Sequence, residues 1–141
     1  MLARGGSTKI HIRTNALGLP VAITLSPGET SDMRGYGPLM EEPGPAPKVL
    51  LADKGYDSDA IRDDPDTRGI APMIPYRRNR LVRPPIDGFI YALRNQIERC
   101  FNKLKHSRRF ATRYDKTSTS FFSFTLLASI RIWISHFVRS A

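Results

Sequence analysis

Two short apolar runs, Lys48-Val49-Leu50-Leu51-Ala52-Asp53 and Gly69 to Tyr76, flank a segment that Asp57 or Ser58 can cap as a helix running to about Asp64. The order strand, helix, strand predicts a parallel pair joined by a crossover, which places the chain among α/β folds. Continuous apolar runs of this kind make strands buried on both faces. The first run ends in a carboxylate, Asp53, and α/β proteins gather functional groups at the carboxyl ends of such strands.

Upstream, Thr8 to Thr14 and Leu19 to Leu25 favour strand and are separated by Asn15-Ala16-Leu17-Gly18, which predicts a β-hairpin. Asp32 to Glu42 reads as a short helix or loop, and Pro43-Gly44-Pro45-Ala46-Pro47 breaks regular structure. Downstream, Arg77 to Gly88 is basic and proline-bearing, hence an exposed loop. From Phe89 to about Arg109 the pattern is helical, and Thr117 to Val138 is the most apolar stretch. Ser123, Thr125, Ser129, Arg131, Ser135 and His136 interrupt that stretch, which argues for a buried or partner-covered helix rather than a membrane span.

Composition narrows the function. With 40% apolar residues a single core is expected, and one cysteine, Cys100, excludes an internal disulfide and a cysteine-built zinc site, in keeping with a reducing cytosol. The opening residues lack the apolar region of a secretory signal. The net charge is +9, from 22 Lys+Arg against 13 Asp+Glu. The excess lies entirely between Tyr76 and Lys116, where Arg77, Arg78, Arg80, Arg83, Arg94, Arg99, Lys103, Lys105, Arg108, Arg109, Arg113 and Lys116 outnumber Asp87, Glu98 and Asp115. Concentrated positive charge is the footprint of a polyanion site. A solvated basic face that only aids solubility is the alternative.

On a helical wheel, Ile90, Leu93, Ile97, Phe101 and Leu104 fall within roughly 80° and form a core-facing stripe. Tyr91, Arg94, Glu98 and Lys105 occupy an adjoining arc of roughly 60°, while Asn95, Arg99, Lys103 and His106 face solvent. Arg94 and Glu98 can be an ordinary helix-face ion pair. Alternatively Glu98 holds a divalent metal together with Asp53, because two-metal phosphoryl transfer needs carboxylate oxygens around hard cations, and Arg94 and Lys105 hold phosphate oxygens. Asp53 can equally be a strand-end turn residue and Asp57 a helix cap. His11, His106 and His136 lack metal-ligand spacing, and Cys100 reads as a small packed residue.

Asp53-Lys54-Gly55-Tyr56-Asp57, followed by Tyr91-x2-Arg94-x3-Glu98-x6-Lys105, resembles the DDE transposases of bacterial insertion sequences, of the insertion-sequence four and five types. Gly6-Ser7-Thr8-Lys9-Ile10-His11 with Ala16-Leu17-Gly18-Leu19-Pro20, Ile74-Pro75-Tyr76-Arg77-Arg78-Asn79-Arg80, and Arg109-Phe110-Ala111-Thr112-Arg113-Tyr114-Asp115-Lys116 extend the likeness over nearly the whole chain. The resemblance implies an α/β, ribonuclease H-like catalytic core with a C-terminal helical segment. It also implies a magnesium-dependent transposase, with manganese as a substitute, cutting and joining DNA phosphodiesters at insertion-sequence ends.

Carried over by residue, Asp53 and Glu98 are the second and third acids of the triad and the metal ligands. Tyr91, Arg94 and Lys105 are the accompanying signature, against DNA phosphates. Arg77, Arg78, Arg80, Lys103, Arg108 and Arg109 are the expected DNA-binding set. The family's first acid lies upstream of the motif that begins near Gly5, so residues 1–141 are expected to be one partial catalytic domain, truncated at its N-terminus. It is expected to be inactive alone and completed by an upstream-encoded part. The alternative is a catalytically inactive remnant or a regulatory DNA-binding protein. Either works on DNA in the bacterial cytoplasm, at the nucleoid and not at a membrane, with self-association through the apolar C-terminal stretch left open.

Overall fold

Alternation of β-branched and polar residues produces the hairpin: strand β1 (Thr8–Thr14) pairs antiparallel with β2 (Pro20–Pro27), Ile10 opposite Leu25 and Ile12 opposite Ile23. The computed structural model describes residues 8–83, 85–111 and 118–140. In the turn, the Asn15 Oδ1 accepts from the Leu17 and Leu19 N–H groups, and Gly18 takes φ +77°, a left-handed conformation open to glycine.

The two faces of β1 meet different layers, as a period of two requires. Ile12 joins Leu19, Ile23, Cys100, Leu104 and Ile132 in the main core, with Ile10, Phe101, Phe122 and Trp133 packed around it. Lys9, His11 and Arg13 alternate with those isoleucines and meet the segment that includes a 3-10 turn (Asp32–Gly35) and helix α1 (Tyr36–Glu41). Lys9 donates to Thr30 O at 2.6 Å and to Asp32 Oδ1 at 3.0 Å, and Arg13 donates to Glu42 O at 2.9 Å. The buried His11 ring lies directly against Gly35, where a Cβ would overlap it.

Strand β3 (Val49–Leu51), helix α2 (Asp59–Thr67) and strand β4 (Ala71–Met73) form the expected strand, helix, strand unit, with β3 and β4 parallel. Each strand has three residues and is only half-buried, not covered on both faces. The buried apolar side chains of this unit are Ile61 on α2 and Ile70 and Ile74 at the two ends of β4. Among the described residues the strands form two separate two-stranded sheets. This mixed helix and sheet arrangement is compatible with an α/β fold.

The predicted single helix from Phe89 is two helices, α3 (Gly88–Ala92) and α4 (Asn95–Ala111). Asp87 caps α3, accepting from the Phe89 and Ile90 N–H groups. At the junction Leu93, Arg94, Gln96 and Ile97 each donate to the carbonyl three residues back. That tighter winding rotates the chain further per residue than an α-helix does. Leu93 therefore emerges 50% exposed instead of joining the core stripe, and the buried position goes to Cys100.

Helix α5 (Ser118–Ser140) lies on the hairpin and α4. Trp133 donates from Nε1 to Pro20 O at 2.7 Å, and Thr125, Ser129 and Ile132 are buried. Of the two arrangements expected, buried or partner-covered, burial within the chain does not hold for its outer face: Leu127, Ile130, Ile134, Phe137 and Val138 face outward. By length and composition alone, Phe121–Ser140 could cross a membrane. Truncating Leu104, which sits between α4 and the hairpin, is expected to cost about 2 to 5 kcal/mol. Urea unfolding of Leu104→Ala, read as a lower midpoint at unchanged slope, checks this.

Candidate functional site

Asp53 leaves β3 in extended conformation, φ −72° and ψ 162°, and its carbonyl accepts from Tyr56 N at 2.9 Å to start a 3-10 turn (Lys54–Tyr56). The turn projects the carboxylate outward, leaving its side chain 60% exposed. Glu98 stands in the first turn of α4 and is 54% exposed. Arg94, at the α3–α4 junction, joins them. Its Nη1 donates to Asp53 Oδ1 at 2.7 Å and to Glu98 Oε1 at 2.8 Å. One nitrogen thus serves both acids, so their oxygens are no farther apart than those two hydrogen bonds laid end to end.

The Arg94 guanidinium also lies over the Tyr91 ring, 5.6 Å from its centroid. Burial alone would lower the Arg94 pKa, but Asp53, Tyr91 and Glu98 outweigh it and the group is held above its ordinary value. Burial raises the pKa of the Tyr91 hydroxyl above its ordinary value. Two carboxylates against one guanidinium leave a net negative, solvent-facing oxygen cluster, the donor chemistry of a hard divalent cation. Among the described residues no third Asp, Glu, His or Cys completes a cluster. Lys105 is exposed two turns along α4 and makes no ion pair with a described residue, so the structure does not bring it to the acids.

Beneath the Asp53 turn lies an anion that the sequence presented as a helix cap. Ser58 does the capping, its Oγ accepting from Ile61 N at 3.2 Å. Asp57 is instead fully buried at its side chain. Arg62 Nε donates to its Oδ1 at 2.7 Å, and the Arg77 backbone N–H donates to its Oδ2 at 2.5 Å. Arg80 Nε lies 2.6 Å from the same Oδ1 as a close ion pair whose N–H is not aimed at the oxygen. Burial would raise the Asp57 pKa, but Arg77, Arg62 and Arg80 together hold it below the usual carboxylate range.

His11 also gains a place that its sequence spacing did not reveal. Its Nε2 is 2.7 Å from Ser26 Oγ and its Nδ1 is 3.4 Å from Tyr56 OH, linking the Asp53 turn to the hairpin. Burial lowers the imidazole pKa, and burial with the charges of Asp32 and Asp53 pushes Tyr56 up to about 12. His11 and Asp57 both lie in the motifs that carry the family resemblance, but those motifs do not show the partners, most of which are distant in sequence.

The expected DNA-binding set divides. Arg78 is exposed, and Arg77 is exposed with its guanidinium on the Gly55 and Lys54 carbonyls at 3.2 and 3.4 Å. Arg80 is not free: its Nη1 donates to Asp59 Oδ1 at 2.7 Å besides the Asp57 pair. Lys103 is exposed on α4, five residues beyond Glu98 and off its face. Arg108 and Arg109 continue α4, but their side chains lie outside the described set, as do Arg113 and Lys116 altogether. Gly6 and Ser7, and the motif residues from Thr112 to Lys116, likewise lie outside the described residues.

Comparison with known proteins adds a second line. The sequence profile of the family described as "Transposase DDE domain" matches residues 3–133. A Brucella ovis protein, provisionally named a transposase for insertion sequence element IS6501, is 37% identical over 130 residues. That covers 91% of this chain and 98% of the relative. A Burkholderia cepacia protein, provisionally named a transposase for insertion sequence element IS402, is 33% identical over 124 residues, covering 81% of this chain and 56% of the relative. No solved structure matches.

Proposed function

Because the chain belongs to the transposase DDE-domain family of bacterial insertion sequences, we propose that it carries part of the site that cuts and joins DNA at the ends of such an element, with Asp53 and Glu98 as the metal-holding acids. The observation that carries this reading is the single Arg94 nitrogen on both carboxylates. It brings to one point two acids that are far apart in sequence, as a shared cation site requires. The subtype is that of insertion sequences four and five, on a ribonuclease H-like core, at work in the cytoplasm.

Magnesium, or manganese in its place, would supply charge neutralisation at the phosphate and a lowered pKa for the attacking water or 3′-hydroxyl. Asp53 and Glu98 would hold it through their exposed oxygens. Arg94 balances the acids and presents donors remaining on its fork to a phosphate oxygen. The Tyr91 ring packs against that fork. Arg77 and Arg78 attract and align the DNA backbone beside the Asp53 turn.

A second reading, DNA binding without cutting, draws on the convergence of only two acids among the described residues. A marker gene flanked by the element's terminal repeats, placed in cells that carry the rest of the element's coding sequence with and without this gene, separates the two. Movement that depends on the gene supports the transposase reading. Retarded DNA in gel shift with no movement selects the binding reading. Both readings make DNA affinity salt-sensitive: with about four phosphates neutralised, it falls about a hundredfold between about 50 and 200 mM salt. Fluorescence anisotropy checks this, and a flat response excludes a phosphate-led interface.

A further inference from the structure

Asp57 is the most buried charge in the described structure, and the reaction above has no use for it. Its surroundings explain what it does. Arg62, paired to it, also donates from Nη2 to Ile74 O at 2.7 Å and to Pro75 O at 3.4 Å, and its guanidinium carbon lies 4.8 Å from the Tyr76 ring centroid. Arg77 is held by its backbone N–H, and Arg80 by its guanidinium between Asp57 and Asp59. Every contact of this anion therefore fastens the root of the basic loop, residues 74–80, to the turn and helix that follow Asp53.

The charges show what is left over. Asp57 answers the buried Arg62, and with Asp59 it answers Arg80. Arg77 and Arg83 donate to backbone carbonyls, which satisfy hydrogen bonds without cancelling charge, and Arg78 is exposed. A loop of unpaired arginines would otherwise splay in solvent, where like charges repel and long side chains keep their rotamer freedom.

We propose that Asp57 is a positioning residue for the polyanion-binding loop: without touching the ligand, it holds Arg77 and Arg78 at the edge of the Asp53 turn so that a nucleic-acid phosphate meets a preformed cationic edge. This rests on the reading of the loop as a DNA contact. It makes a prediction opposite in sign to simple electrostatics. Removing a negative charge beside arginines should tighten DNA binding; if Asp57 positions the loop, removing it weakens binding.

The test compares Asp57→Asn with Asp59→Asn by fluorescence anisotropy on a labelled duplex of the element's terminal repeat across a salt series. Asp59 is an exposed partner of Arg80 that leaves the loop root in place. Asp57→Asn is expected to weaken binding about tenfold and to make the salt slope shallower by about one phosphate contact. Asp59→Asn is expected to bind as well as the parent or slightly better. A merely structural role would lower the melting temperature and leave the salt slope of the folded protein unchanged. Asp57→Asn binding as tightly as the parent with the same slope overturns the proposal.

Hydrogen exchange on the unmutated chain gives an independent reading if that variant does not fold. The Arg77 amide should be protected despite its place in an exposed loop, and exchange at the rate of free loop amides overturns the proposal. If the unmutated chain binds DNA without salt dependence, the DNA reading itself falls and takes this inference with it. If it binds with the expected dependence and Asp57→Asn matches it, only the positioning role falls.

Discussion

Asp53→Asn and Glu98→Gln are each expected to lower movement of a repeat-flanked marker by about a thousandfold, with the melting temperature of the chain unchanged. The size follows from the chemistry proposed for the acids: charge stabilisation by a bound cation is worth several kcal/mol at the transition state, and each 1.36 kcal/mol is about tenfold in rate. The amides match the acids in shape and keep an oxygen that accepts from Arg94, so the substitution removes ligand charge while sparing the local geometry. Both side chains are more than half exposed, so neither change opens a cavity.

The double variant should be hardly worse than either single one, because ligands of one cation act as a unit. Exposed Glu29, which makes no ion pair with Asp53, Arg94 or Glu98, provides the control: Glu29→Gln should move the marker at the parental frequency. Parental frequency in Asp53→Asn would instead reduce the Asp53, Arg94 and Glu98 cluster to a surface ion-pair network, worth little to stability and nothing to catalysis.

Asp57→Ala is expected to cost about 3 to 5 kcal/mol of stability, because it leaves the nearly buried Arg62 guanidinium without its counter-charge. That is a large part of the roughly 5 to 15 kcal/mol that holds an ordinary domain together. Asparagine in the same place is milder, since it retains an acceptor oxygen. The pH dependence has a definite sign. The folded pKa of Asp57 is held below its unfolded value near about 3.9. Its ion pairs therefore stabilise the protein fully above that unfolded value, and the contribution is lost as pH falls through the lower folded one. Asp64, lowered by the Tyr36 hydroxyl and Arg68, acts in the same direction. Urea midpoints at neutral pH and in acid should show the parent losing stability in acid and Asp57→Ala losing less. An Asp57→Ala midpoint equal to the parent's at neutral pH would show that Arg62 finds another partner.

Much of this architecture was legible in the sequence because it is encoded locally. Alternation marked the hairpin, Asn15 and Gly18 marked its turn, and Ser58 and Asp87 sit where a helix must satisfy its first N–H groups. The spacing of Tyr91, Arg94, Glu98 and Lys105 with Asp53 identified the family from side-chain types alone. Local periodicity failed where the winding changed. One continuous wheel placed Leu93 in the core, but the bonds to the third residue back at the α3–α4 junction turn Leu93 out.

The order of the hairpin and of the strand, helix, strand unit, the basic segment and the acids as candidates were thus determined by the sequence itself, since strand alternation, capping and charge depend on neighbours a few residues apart. Tertiary structure alone decided that Arg94 would bridge Asp53 and Glu98, that Arg80 would be tied down, and that Asp57 would be a buried hub rather than a cap. Each of these rests on groups distant in the chain, and at Asp57 they meet where water is excluded. There the cost of leaving a charge unpaired, and not the preference of any local segment, dictates which partners are taken.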